Sequence, residues 1–214
     1  MNIVLIDYNT GNIGSLLNSL KKAKDQSHSK YRLNISNKPE DVINADKVIL
    51  PGVGEFYNCK LQLSKIPGMI EALNEYVKVL ARPFLGICIG MQLMAKKSFE
   101  RGEHKGLNYF DAEVKKIKPN DKNLKVPHMG WNTVTLEKKK SLDLFRSLKN
   151  NDFYFVHSYS MNCNKQDDII ATVNYGNKVV AAVFKENMLG VQFHPEKSQL
   201  AGQQFLKEFL SWVP

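Results

Sequence analysis

The run Leu85-Gly-Ile-Cys88-Ile-Gly-Met-Gln92 sets a cysteine between two glycines, each two residues away. A short apolar stretch precedes it and an amphipathic one follows, the pattern of a buried strand turning directly into a helix. The spacing is that of a G-x-S-x-G nucleophile elbow with sulfur in place of oxygen. So tight a turn needs small neighbours, because larger side chains would collide with the facing backbone. It would lift the Cys88 thiol clear of the sheet, at a helix N-terminus whose dipole and free N–H groups favour an anion. Taken alone, the segment fits equally well a small buried cysteine whose glycines serve packing.

Gly190-Val-Gln-Phe-His194-Pro-Glu196 adds a base and a carboxylate at the end of another apolar run. Residues two apart in extended chain share a face, and Pro195 fixes the backbone between them. His194 could take the Cys88 proton while Glu196 holds the far ring nitrogen, which sets tautomer and orientation. Such a nucleophile attacks a carbonyl, so an oxyanion site is needed. The Ile89 amide at the helix start is one donor. A second could come from Pro51-Gly-Val-Gly54, a glycine loop at the end of a third apolar run. No G-x-x-x-x-G-K-[ST] or G-x-G-x-x-G pattern follows a strand, so the glycines do not suggest a phosphate cradle.

The elements that must position these groups alternate. Strands are predicted over 2–6, 31–36, 47–50 and 83–87, and helices from Gly11, from Pro39, over 67–80, over 89–97 and over 200–212. Between them lie strands at 112–118, 131–136, 153–159, 169–175, 179–185 and 189–193, with 141–148 helical and a hairpin turn over 173–177. Strands alternating with helices form a parallel sheet covered on both faces. The expected fold is α/β: an open, mostly parallel sheet flanked by helices, with an antiparallel extension, in a single domain over 1–214. The three functional segments would meet at the carboxyl edge of the sheet, where open α/β folds bind ligands.

The chain has 214 residues and a formal charge of +9, concentrated in 96–149, which carries 14 basic and 7 acidic residues. Aromatic interleaving and nucleic-acid motifs are absent, so the lysines read as a solvated surface, with no nucleic-acid partner. No apolar run approaches the ~20 residues of a membrane span, and the N-terminus does not resemble a signal peptide. A cytoplasmic location without membrane association is expected. Three cysteines without C-x-x-C spacing suggest neither a disulfide framework nor a structural metal.

Pro51-Gly-Val-Gly54, Gly86-Ile-Cys-Ile-Gly-Met-Gln92 and His194-Pro-Glu196 together resemble the class I (triad) glutamine amidotransferases. Pro127-His-Met-Gly-Trp-Asn132, Tyr154-Phe-Val-His-Ser-Tyr159 and Gly190-Val-Gln-Phe-His-Pro-Glu-Lys-Ser198 bring the chain closest to the glutaminase subunits of imidazole glycerol phosphate synthases. The resemblance runs from Asp7-Tyr8 to the final helix. It implies hydrolysis of L-glutamine to glutamate and ammonia through a thioester, with Cys88 as nucleophile, His194 as base then acid, and Glu196 as the orienting carboxylate. It further implies an oxyanion hole from the Val53 and Ile89 amides, and a glutamine pocket lined by Gly52, Gln92, His157, Ser158 and Tyr159. No metal or cofactor is implied.

The implied partner is a (β/α)₈-barrel cyclase subunit that receives the ammonia in a heterodimer and makes imidazole glycerol phosphate and aminoimidazole carboxamide ribotide for histidine biosynthesis. Asn12, Met129, Trp131 and Lys197 are the residues expected to face it. The same chemistry could instead serve a surface-sugar amidotransferase partner, or the chain could be a silent regulatory subunit. Asn9 stands where the family commonly has glycine in Y-G-x-G-N, and asparagine tolerates φ > 0 better than most residues.

Overall fold

The computed structural model describes residues 1–25, 31–137 and 143–214. Along the first half run β1 (Asn2–Ile6), α1 (Ile13–Asp25), β2 (Arg32–Ser36), α2 (Pro39–Ile43), β3 (Lys47–Leu50), α3 (Phe56–Ser64), α4 (Met69–Lys78), β4 (Phe84–Ile87) and α5 (Ile89–Leu93). Next come β5 (Ala95–Ser98), β6 (His104–Lys105), β7 (Phe110–Lys116), β8 (His128–Leu136), β9 (Asp152–His157) and β10 (Tyr159–Cys163). Last are β11 (Ile169–Asn174), β12 (Lys178–Lys185), β13 (Met188–Val191) and α6 (Gln199–Ser211).

Nine strands form one sheet in the order β2-β1-β3-β4-β13-β12-β11-β8-β9. The first five run parallel, and β12, β11, β8 and β9 continue the same sheet antiparallel. β3, β4 and β13 are buried along their whole length, as parallel strands covered on both faces must be. α1 packs on α6 and α2 on α4. The buried face of α6 carries Phe205, Leu206, Phe209 and Leu210. Lys47, buried in β3, donates from Nζ to the carbonyls of Phe209 and Trp212. It thereby caps the end of α6 with a cation, where helix carbonyls lack partners.

The structure departs from expectation in five places. A separate four-stranded sheet, β10-β7-β5-β6, was not foreseen. The predicted helix over 89–97 ends at Leu93, and Ala95–Ser98 is strand. The carbonyls of Leu93, Met94, Ala95 and Lys96 accept from the amides of Leu107, Tyr109 and Phe110, Asn108, and Gly106, so chain 106–110 takes the bonds a longer helix would have used. The predicted strand 153–159 breaks at Ser158 into β9 of the large sheet and β10 of the small one. α3 went unanticipated, although Phe56, Cys59 and Leu63 form its buried stripe. In the predicted helix over 141–148, residues 143–148 form 3₁₀ turns broken at Phe145 (φ −126°, ψ 56°), and 141–142 lie outside the described residues. The hairpin over 173–177 forms with Gly176 at φ 71°, and Asn9 adopts φ 62°.

Candidate active site

β3, β4 and β13 are neighbours at the centre of the sheet, with Leu50 opposite Gly86 and Ile87 opposite Val191. The three segments that follow them, from Pro51, Cys88 and Gln192, therefore leave the same carboxyl edge together. Cys88 sits at the start of α5 with φ 54° and ψ −110°, a strained conformation for a residue with a Cβ. Its N–H is held by the Val191 carbonyl at 2.8 Å. The glycines on each side are sterically required. A Cβ on Gly90 would stand 1.9 Å from the Leu50 oxygen, and one on Gly86 would stand 2.6 Å from the Met94 sulfur.

His194 opens a 3₁₀ turn, Pro195–Lys197. Its amide bonds the Tyr154 carbonyl at 2.9 Å, and its carbonyl accepts from the Ser198 hydroxyl at 2.6 Å. Imidazole Nδ1 donates to Glu196 Oε1 at 2.8 Å, with both side chains almost fully buried. A carboxylate only accepts, so Nδ1 carries the hydrogen and Nε2 is the exchangeable position. Among the described residues Nε2 has no hydrogen-bond partner, yet the Cys88 sulfur favours its charged form. Burial would lower the His194 pKa, but Cys88 and Glu196 outweigh it and raise it to about 10. The arrangement holds a proton on the imidazole beside the sulfur, ready for a leaving group.

The predicted oxyanion donors do not converge in this structure. Ile89 N–H is engaged by the Gly52 carbonyl at 3.4 Å. Carbonyl and N–H of one trans peptide point in opposite directions, so the Val53 N–H faces away from Ile89. The loop is held on either side: Tyr8 Oη donates to the Pro51 carbonyl at 2.5 Å, and the Cys59 thiol donates to the Val53 carbonyl at 3.4 Å. Rotating the single Gly52–Val53 peptide would free one donor and aim the other inward.

Cys88 and His194 line a cavity of about 520 Å³ with Asn12, Val53, Ile89, Gln92, Glu100, His157, Ser158, Tyr159 and Lys197. Of the predicted pocket residues, Gly52 alone does not line it. Its place is behind the loop, where an added Cβ would meet Tyr8 Oη at 2.8 Å and Gly90 N at 2.9 Å. Gln92 gives Nε2 to the Tyr159 carbonyl and to Gln192 Oε1, both at 3.0 Å, and among the described residues its own buried Oε1 has no partner. Glu100 was not singled out from sequence, because it follows β5, which reads as helix. Glu100 Oε2 accepts from the Phe56 amide at the start of α3 at 2.8 Å. A wider groove of about 730 Å³, edged by Thr135, Glu137, Asp167 and Lys178, contains neither a thiol nor an imidazole.

Of the predicted partner-facing residues, Asn12 and Lys197 stand at the cavity, while Met129 and Trp131 are 61% and 47% exposed on one face of β8. Tyr154, also missed, links them: its ring meets Trp131 edge-on at 6.1 Å and lies 5.5 Å from Lys197 Nζ.

The family model for class-I glutamine amidotransferases matches residues 4–212. The imidazole glycerol phosphate synthase subunit HisH of Brucella melitensis biotype 1 is 40% identical over 218 residues, covering the whole of both chains. The chain belongs to the class-I glutamine amidotransferases. A second relative of this amidotransferase, HisH of Zymomonas mobilis subsp. mobilis, is 43% identical over 99% of the chain and 96% of its own length. Both relatives are named as subunits of a synthase. The fold agrees with a solved glutamine amidotransferase at a TM-score of 0.69, with 18% identity over 96% of this chain and 98% of the other. Among the described residues of the amidotransferase, no helix is long and apolar enough to cross a membrane.

Two further histidines are buried, His157 in the cavity wall and His128 behind it. Burial lowers the His128 pKa to about 4. Burial, with the charges of His128 and His194, lowers that of His157 to about 3 against its bond to the Tyr159 carbonyl. Unfolded, each would titrate near 6.5, so between that pH and the folded values the unfolded chain binds more protons. Stability is therefore lost as pH falls from about 6.5 through 4 towards 3. The urea midpoint should drop over this range, and less steeply in His128→Phe. A midpoint independent of pH between 7 and 4 would contradict the assignment.

Proposed function

We propose that the chain is a single glutaminase domain that hydrolyses L-glutamine and passes the ammonia to a barrel-shaped cyclase subunit. The observation that carries this is the meeting of Cys88 with the His194–Glu196 pair in one cavity that also holds Gln92 and Glu100. Glu100 offers its carboxylate to the substrate α-ammonium, and the unpartnered Gln92 oxygen offers an acceptor for a substrate N–H. Cys88 Sγ attacks the carboxamide carbon, and the oxygen's charge passes to the Ile89 and Val53 amides once the Gly52–Val53 peptide has turned. His194 protonates the leaving nitrogen, the C–N bond breaks, and ammonia departs from a Cys88 γ-glutamyl thioester. His194, now neutral, takes a proton from water. The resulting hydroxide cleaves the C–S bond and releases glutamate.

The face carrying Asn12, Met129, Trp131 and Lys197 is where the cyclase would dock. Two large apolar side chains exposed together beside a cavity mouth mark an interaction surface. On this reading the assembly works in the cytoplasm, in keeping with three unpaired thiols. Its test is glutamate release from glutamine with the histidine-pathway cyclase and its ribotide substrate. Stimulation is expected there, and none with an unrelated barrel. Stimulation by a surface-sugar partner alone would reassign the chain.

Glu100→Gln keeps an acceptor for the Phe56 amide but removes the charge. A hydrogen bond to a charged group contributes about 1.5–3 kcal/mol, so KM for glutamine should rise about 10- to 100-fold, with kcat changed little. Steady-state kinetics checks this. An unchanged KM would take Glu100 out of the substrate site.

A further inference from the structure

The Tyr159 carbonyl accepts from two directions, from Gln92 Nε2 at 3.0 Å and His157 Nδ1 at 2.9 Å. A carbonyl cannot donate, so His157 carries its hydrogen on Nδ1. Burial keeps this imidazole neutral, so its Nε2 has no hydrogen and accepts. The atom facing it at 2.9 Å, His128 Nδ1, must then be the donor. His128 is also neutral, which makes its Nε2 the acceptor for Asn132 Nδ2 at 3.2 Å. Asn132 is oriented independently, by a 3.0 Å bond from Nδ2 to the Asn174 carbonyl.

On the other side, Gln92 Nε2 gives its second hydrogen to Gln192 Oε1 at 3.0 Å. That leaves Gln192 Nε2 directed at Cys88 Sγ, 3.7 Å away. The chain from Asn132 to the thiol thus has one workable assignment of donors and acceptors. Turning the Gln92 amide over would set its oxygen against the Tyr159 carbonyl and Gln192 Oε1 at once. Buried polar atoms left facing acceptors cost far more than an ordinary hydrogen bond gains.

We propose that His128 and Gln192 are positioning residues of the glutamine site, which lock the Gln92 amide with its oxygen presented to a substrate N–H. His128 acts through His157 and the Tyr159 carbonyl, and Gln192 acts directly. The locked group admits a carboxamide or ammonium donor and disfavours a carboxylate oxygen at the same point. The proposal rests on the glutaminase function given above.

The test is steady-state glutamine hydrolysis by the complex with its cyclase, for wild type, His128→Phe and His128→Asn, beside imidazole ¹⁵N spectra of the free chain. Phenylalanine preserves the ring contacts of His128 with Phe155 and Tyr175 (centroids 4.8 and 4.1 Å) and removes both nitrogens. It should raise KM about tenfold, the worth of one lost alignment, with kcat within about threefold. Asparagine, whose Nδ2 takes the place of the imidazole Nδ1, should return KM to within about threefold of wild type. The spectra should show His128 and His157 both as Nδ1–H tautomers.

An unchanged KM in His128→Phe, an asparagine variant no better than the phenylalanine one, or an Nε2–H tautomer at either histidine would overturn the proposal. A wild-type complex that hydrolyses no glutamine would instead defeat the proposed function, and the spectra alone would then decide the hydrogen-bond chain.

Discussion

Cys88→Ala is expected to reduce glutamate release by at least about 10⁴-fold, with or without a partner subunit, as loss of a nucleophile does in other acyl-transfer sites. The fold should survive the change. Cys88 Sγ accepts a long hydrogen bond from Gln192 at 3.7 Å, and alanine at φ 54° inherits the same strain rather than adding to it. A second consequence separates chemistry from structure. The Cys88 sulfur is one of two groups that raise the His194 pKa against burial, so in Cys88→Ala that pKa should fall from about 10. Imidazole NMR follows the shift and denaturant unfolding follows the fold. An alanine variant that keeps wild-type turnover would remove Cys88 from the mechanism.

The isolated chain should be a poor glutaminase, stimulated about 10²–10³-fold when the proposed cyclase partner engages. One oxyanion donor is typically worth that factor. Here the Ile89 amide is occupied by the Gly52 carbonyl and the Val53 amide points the other way. The Gly52–Val53 peptide is anchored by Tyr8 on one side and Cys59 on the other, so its rotation must be driven. Val53 is 40% exposed and lines the cavity, which puts the loop within reach of a subunit docked over Asn12 and Lys197. Glutamate release by the chain alone, compared with the complex, measures the effect. Equal rates would mean that the peptide turns without help.

The chemistry was more legible in the sequence than the second layer of the site. Cys88 and His194-Pro-Glu196 each carry a local signature, a glycine-flanked elbow and an i, i+2 pair, and the structure brings both to one edge of the sheet. The parallel strands were legible for the same reason, because β3 and β13 are short buried apolar runs, and Pro51-Gly52 ends β3. Glu100 was hidden because Ala95–Ser98 has nothing in its residues to stop a helix. Only pairing with chain 106–110 does that, and a pairing ten residues away has no period to read. The break at Ser158, itself a predicted pocket residue, was hidden similarly: an uninterrupted strand pattern changes sheets there. The closed oxyanion loop turns on one peptide's orientation, and the residues Gly52 and Val53 permit both.

Covalent labelling of the complex with a diazoketone analogue of glutamine, followed by peptide mapping, asks whether Cys88 is the nucleophile. Cys88 should carry one label per chain, glutamine hydrolysis should be lost in step with labelling, glutamine should protect, and Cys59 and Cys163 should stay unlabelled. Full inactivation with Cys88 unmodified would contradict that role.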